Sequence, residues 1–416
     1  MDLLVRQAGV LMRHGTEIVD IAVQGERIAA LAKPGELSPG TDTIVLEAQG
    51  CLVVPGLIET HFHLDKACIL DRCQANEGNL AEAVRQTALA KCGFTAEDVY
   101  VRARATLERC IGHGTMRMRT HVELDPGIGL VAFEAIQQLA RDYRWAIDIE
   151  LCVFPQEGLL NNPGTEALLV EGLRRGAQVI GAVPYVDTNP RGQIDRIFAL
   201  AREFDVDIDM HLDLAETTDG MQTAYVCRKT EEYGWGGRVA IGHATQLSLL
   251  PPDQFADVAA QLARAGVAVT VLPSTDLHLM GRSHGHAVPR GVVPPGPLRR
   301  AGVTCSVSTN NVLNPFTPYG DCSLIRMANL YANVCHVARP AELADCLDMV
   351  THAAARLMRV PDYGIAVGAE ADLVALDAIG AAEAVAALAP PLWGVKRGRP
   401  SFTRARPVLH QPRSGS

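Results

Sequence analysis

The stretch CLVVPGLIETHFHLDK, residues 51–66, carries an apolar run into two histidines one residue apart, His61 and His63. A short apolar run punctuated by Gly and Pro reads as a buried strand. On a strand, residues i and i+2 project to the same side, so these two imidazoles can grip one ion. Seven more such runs follow at 116–124 (MRMRTHVEL), 147–154 (IDIELCVF), 179–186 (VIGAVPYV), 206–213 (VDIDMHLD), 239–244 (VAIGHA), 267–273 (VAVTVLP) and 303–309 (VTCSVST). With 51–63 they make eight. Between them, 130–143, 191–204 and 253–265 place apolar residues at helical spacing. Alternating strands and helices, with nearly continuous apolar strands, indicate a parallel sheet covered by helices. Eight units predict an α/β fold of the (β/α)8 TIM-barrel type, with the active site at the C-terminal ends of its strands. An open doubly wound sheet is the alternative.

The polar residues fall at those ends. His61 and His63 close the first strand, His211 and Asp213 the fifth, and His243 the sixth; Asn310 follows the eighth. Imidazole suits zinc, iron and other divalent first-row metals, and a third histidine from another strand would complete an open catalytic site.

The flanks read differently. Residues 1–50 hold short β-like pieces (LLVRQAGVLM, EIVDIAVQGERIAAL, DTIVLEAQG), and 365–409 resume that style. The expected division is a small β-sandwich domain built from residues 1–54 and 363–416 around a barrel over 55–362. HQPRSGS at the end reads as a disordered tail. Of 416 residues, 48% are hydrophobic and 20% charged, enough for a large core. A net charge of −9 argues against nucleic acid or an anionic membrane as partner. The opening lacks signal-peptide features, and the 11 cysteines are scattered without CxxC pairs. Both suit a reducing cytoplasm.

Over nearly its whole length the chain resembles the amidohydrolase superfamily, within it the cytosine deaminase and N-isopropylammelide amidohydrolase group. The motifs that carry the resemblance are VPGLIETHFHLDK, RTHVEL, VFPQEGLL, GAVPYV, DIDMHLD, GHAT, DLHLMGR and DYGIAVGAEADLVALD. The resemblance implies a metal-bearing barrel, a β domain from both chain ends, and one divalent ion per chain, zinc first, with iron and manganese as alternatives. By position, His61, His63 and His211 match metal ligands. His243 matches the residue that orients the hydroxide generated at the ion. Gln156 matches a contact to a small heterocyclic substrate, and His278 and Arg282 lie in the match to a loop over the pocket. The resemblance also implies a homo-oligomer.

Two departures bear on mechanism. Asn310 stands where the deaminases carry a metal-binding aspartate, and Leu214 stands where cytosine deaminase has its proton-shuttling glutamate. Asp213 occupies the position of a second histidine in the isopropylammelide enzyme. A neutral amide can touch a metal but cannot serve as a base near neutral pH. The chain is therefore expected to hydrolyse a C–N bond at an activated carbon, in a cyclic amide, imide or amidine, with Asp213 as a proton shuttle. A ligand-binding descendant and a Lewis-acid lyase or isomerase are the alternatives. Asp276 is a secondary candidate for the missing carboxylate. His113 and His121 are read as packing residues, His284 and His286 as part of a loop, and Phe316 and Tyr319 either as packing for a flat substrate or as hydrophobic support for Asn310.

Overall fold

The computed structural model describes residues 1–12, 15–74 and 76–410. All but the first residue of HQPRSGS lies outside the described residues. The chain opens with β1 (Leu3–Met12), β2 (Gly15–Gln24), β3 (Arg27–Ala32), β4 (Ile44–Glu47) and β5 (Leu52–Pro55). Then come β6 (Leu57–Phe62), β7 (Thr115–Glu123), β8 (Asp148–Phe154), β9 (Val179–Ala182), β10 (Asp207–Leu212), β11 (Val239–His243), β12 (Val267–Val271) and β13 (Cys305–Val307). The last strands are β14 (Leu373–Leu376), β15 (Pro391–Lys396) and β16 (Arg399–Thr403).

Strands β6 to β13 pair in sequence order, all parallel. The ring closes beyond the regular strands, where Phe62 bridges Asn310. The Asn310 N–H donates to His61 O at 3.1 Å, and the His63 N–H to Asn310 O at 3.0 Å. The end of the eighth strand is thereby fixed between the two histidines of the first. Helices fill the crossovers close to their expected spans, including Val131–Asp142, Pro190–Phe204 and Pro252–Ala265. The second of these shows why the ends fall where they do. Asn189 caps its start, Pro190 needs no hydrogen bond in the first turn, and Asp205 ends it at φ 53°.

The remaining strands form one sheet in the order β16-β15-β14-β5-β1-β2-β3, with β4 also on β1. Its edge at β3 meets the segment before β14, where Ile28 N–H donates to Ala369 O at 3.0 Å. The sheet so folds over a core of its own that includes Leu3, Val5, Ile21, Val53, Leu373 and Val395.

The run 51–63 is two strands, not one. β5 pairs with β1 and β14 in the small sheet, whereas β6 opens the barrel. Gly56 makes the passage, since a Cβ there would lie 2.6 Å from Met116 Cβ. The fourth and seventh strands also stop earlier than the apolar runs suggest. Pro184 starts a single 3-10 turn and Pro273 the helix Pro273–Leu279, because proline cannot continue a ladder it cannot donate to.

Candidate metal centre

Three imidazoles converge at the C-terminal mouth of the barrel. His61 Nε2 lies 3.1 Å and His63 Nε2 3.0 Å from His211 Nε2. The three residues are 0%, 1% and 4% exposed. Burial, reinforced by neighbouring imidazoles, pushes His61 down to about 3 and holds His63 and His211 well below the usual histidine value. All three rings are therefore neutral, and one proton on His211 Nε2 cannot serve both short contacts. A divalent cation would satisfy all three lone pairs together. The donor set fits such an ion.

The surroundings fix which nitrogen faces the centre. His61 Nδ1–H donates to Asp209 Oδ1 at 3.2 Å, leaving Nε2 bare. Arg119 Nη1 donates to the other oxygen of Asp209 at 2.9 Å, and its Nε to Glu150 at 2.7 Å. Burial alone would raise Asp209, but His121 and His61 hold it far below the usual carboxylate range. Carboxylates placed behind metal-binding histidines set tautomer and basicity in this way. His121 packs its ring 3.8 Å from that of His61, with Nε2 3.4 Å from Asp209 Oδ1. It belongs to the centre's surroundings and not simply to packing. The signal was present in the sequence: Arg119 and His121 repeat on β7 the i, i+2 spacing that Asp209 and His211 show on β10.

His243 stands beside the cluster, its ring centroid 5.5 Å from that of His211. Its Nδ1–H donates to Asp276 Oδ1 at 2.6 Å, so Nε2 is the free end. Asp276, fully buried, is raised by desolvation against the pull of His243. Gly242 makes room for the centre, because a Cβ there would meet His61 Cε1 at 2.9 Å. Asp213, His243 and Asn310 all adopt left-handed backbone, with φ 51°, 67° and 66°. Such conformations cost about 1–3 kcal/mol each and gather where strand ends must turn side chains into a site.

The other expected site residues divide. Asn310 lies between His61 and His63 along the backbone, and its buried amide has no hydrogen-bond partner on either atom among the described residues. Asp213 is directed to the start of helix Thr223–Tyr233. It accepts from Gln222 N at 2.8 Å, Thr223 N at 3.0 Å and Thr223 Oγ1 at 2.5 Å. The carboxylate offered to His243 is that of Asp276. Leu214 packs with Ala83, Leu279, Met280 and Phe316, an apolar wall where a proton carrier would stand. Gln156 is buried and accepts from Lys66 Nζ at 2.9 Å. His278 and Arg282 are linked, with Arg282 Nε donating to His278 O at 2.7 Å; Arg282 is exposed at the rim. Glu216 turns to that rim and accepts from Arg282 N at 2.6 Å. His284 and His286 lie in the exposed loop beyond.

A family profile described as "Amidohydrolase family" matches residues 126–400. The chain belongs to the amidohydrolase family. It is a hydrolase of the kind that acts on non-peptide C–N bonds, and this amidohydrolase is 26% identical over 407 residues to the N-isopropylammelide isopropyl amidohydrolase of Pseudomonas sp. (strain ADP), covering 96% of both chains. The crystal structure of N-isopropylammelide isopropylaminohydrolase from Burkholderia multivorans superposes with a TM-score of 0.83 at 30% identity, over 96% of this chain and 97% of that one. The 5-methylcytosine deaminase of Klebsiella pneumoniae, liganded with 5-fluorocytosine, gives 0.92 at 24% identity, over 98% and 99%. Among the described residues no helix is long and apolar enough to cross a membrane.

Proposed function

We propose that this amidohydrolase hydrolyses a C–N bond of a small N-heterocycle at a centre held by His61, His63 and His211. The observation that carries the reading is the meeting of three buried imidazoles, with His61 Nε2 and His63 Nε2 lying 3.1 and 3.0 Å from His211 Nε2. Zinc fits three imidazoles best, with iron and manganese as alternatives. When bound, a divalent ion there supplies Lewis acidity and makes water nucleophilic near neutral pH.

The chain's own residues do the rest. Asp209, clamped by Arg119, holds His61 in the tautomer that faces the centre. Asp276 holds Nδ1–H of His243, so Nε2 accepts a proton from the attacking water and returns it to the leaving nitrogen. The balance is that of hydrolysis: a C–O bond forms, the C–N bond breaks, and the amine departs with the proton. Leu214 and its apolar neighbours offer no second proton carrier, which restricts the reaction to ring carbons already activated by adjacent nitrogens or carbonyls. Asn310, with both amide atoms unpaired among the described residues and no charge, serves as a neutral ligand or substrate contact and not as a base.

Elemental analysis of wild type and His211→Ala, with turnover on a panel of cyclic amides, imides and amidines, tests this. Wild type is expected to hold about one divalent ion per chain, the variant essentially none. Equal metal in both proteins removes His211 from the centre.

A further inference from the structure

The seam where the first barrel strand meets the eighth is built unlike the others. Every other neighbouring pair from β6 to β13 is joined by a ladder of backbone partners. Between β13 and β6 the described residues show one bridge, Phe62 to Asn310. Side chains replace the missing ladder, and neighbouring residues of β6 serve opposite faces. Thr60 Oγ1 meets Ser306 Oγ at 2.8 Å, and Ser306 Oγ meets Thr270 Oγ1 at 3.0 Å. On the other face stands Glu59, completely buried.

An apolar side chain would be less costly to bury there than a carboxylate. Among the described residues no cation pairs with Glu59, and three donors meet it. Oε2 accepts from Thr309 N at 2.9 Å and from the Ser308 hydroxyl, and Oε1 accepts from the Thr309 hydroxyl. Ser308 gives its only proton to Glu59, so its oxygen is left as an acceptor, and His61 N–H donates to it at 3.0 Å. Glu59 thus holds both residues that precede Asn310. Asn311 N–H, just beyond, donates back to Thr309 O at 3.0 Å. Asn310 sits between them at φ 66°, a strained conformation that persists only where the surrounding chain fixes it.

We infer that Glu59 is a positioning residue, which through Ser308 and Thr309 holds the Asn310 amide in its place at the centre. The inference rests on the hydrolase reading above and goes beyond it in naming what sets Asn310. Glu59 acts through two hydroxyls and one peptide N–H, not at the reacting atoms. A carboxylate that only closed the seam would affect the melting temperature and nothing that depends on Asn310 in particular.

The test is a double-mutant cycle of Glu59→Gln and Asn310→Ala. Its readouts are zinc affinity by chelator competition, kcat/KM on the best substrate of the cyclic amide, imide and amidine panel, and melting temperature. Gln keeps the size of the side chain and turns one acceptor into a donor that faces a donor. Whichever of zinc affinity and kcat/KM falls in Asn310→Ala should fall also in Glu59→Gln, by roughly tenfold, and the two losses should not add. Additive losses would mean that Glu59 acts through Ser308 on His61, and overturn the inference. A lower melting temperature with zinc affinity and kcat/KM unchanged in Glu59→Gln overturns it as well. A readout free of metal and turnover is the side-chain NH₂ resonance pair of Asn310, assigned by its absence from Asn310→Ala in protein carrying nitrogen-labelled asparagine. Glu59→Gln should shift or split that pair, and an unchanged pair counts against the inference. If Glu59→Gln does not fold, Thr309→Val removes one of the three donors and should give the same changes at smaller size. Wild type that takes up no zinc overturns the hydrolase reading instead, and the resonance pair then decides the inference alone.

Discussion

Asp213 and Asn310 occupy comparable places, the ends of barrel strands five and eight, and differ in one respect. Both are buried, and both sit on left-handed backbone, with φ 51° and 66°. Asp213 accepts three hydrogen bonds from the start of the following helix, whereas among the described residues Asn310 has a buried amide without a partner on either atom. An unpaired buried polar group costs about 1–3 kcal/mol, so Asn310 carries a debt the protein alone does not settle. A side chain whose bonds are all spent inside the chain is serving the fold. One left open at the mouth of the barrel is free to meet a ligand there.

The largest effect that would sharpen this contrast lies at His243, beside the imidazole cluster. In His243→Ala, kcat should fall by about a hundredfold or more with metal content unchanged, the range for a positioned acid–base group. Asp276→Asn should follow it in kcat with little change in KM, while Asp213→Asn should affect thermal stability more than kcat. A kcat loss in Asp213→Asn as large as that in Asp276→Asn would return the proton role to Asp213 and undo the comparison.

Next in size is Asp209→Asn. Loss of the carboxylate behind His61 should weaken metal affinity by roughly tenfold to a hundredfold, read by competition with a chelator. Unchanged affinity would mean that the His61 tautomer is set elsewhere.

A smaller change is expected from Asn310→Asp. A carboxylate facing the imidazoles should tighten metal binding and reduce turnover of an activated substrate. Altered KM with unchanged metal affinity would instead assign Asn310 to the substrate, so chelator competition and steady-state kinetics on one preparation separate the two.

The smallest effect concerns the charge cluster behind Lys66. Lys91 Nζ lies 3.0 Å from Glu123 and 2.5 Å from Asp125, and it also bonds Glu157. Asp65, Glu123, Asp125 and Glu157 outnumber the two lysines, and one of them should keep its proton. Burial, then the charge of Glu123, pushes Glu157 from 4.5 up to about 8. Between these values the folded chain binds the proton that the unfolded chain has lost, so stability falls as pH rises. Glu157→Gln has no such cost. Its melting temperature should gain on wild type from about pH 5 to pH 8; a gain by wild type instead would show Glu157 ionised and paired with Lys91.

What the sequence determined by itself was the barrel and the identity of the converging imidazoles. The strand period of two and the helical period between strands are local, and HFH at 61–63 with His211 and His243 at later strand ends could be placed by counting. The split of 51–63 at Gly56 was not legible, because the reason is a side chain from another strand, Met116, in the space a Cβ would need. Nor were the partners of the site. Asp276 could be suspected of replacing a carboxylate, but not of holding His243, and nothing local separates Asp213 turned to its helix from Asp213 turned to the pocket. Arg119, His121 and Asp209 meet only because parallel strands in register bring residues 90 positions apart to 2.9 Å. The contact of Lys66 with Gln156 likewise joins two strand ends. Side-chain spacing along a strand is fixed by covalent geometry and can be read from the chain. Which donor meets which acceptor across strands is set by register, turn and rotamer, and that only the tertiary structure decided.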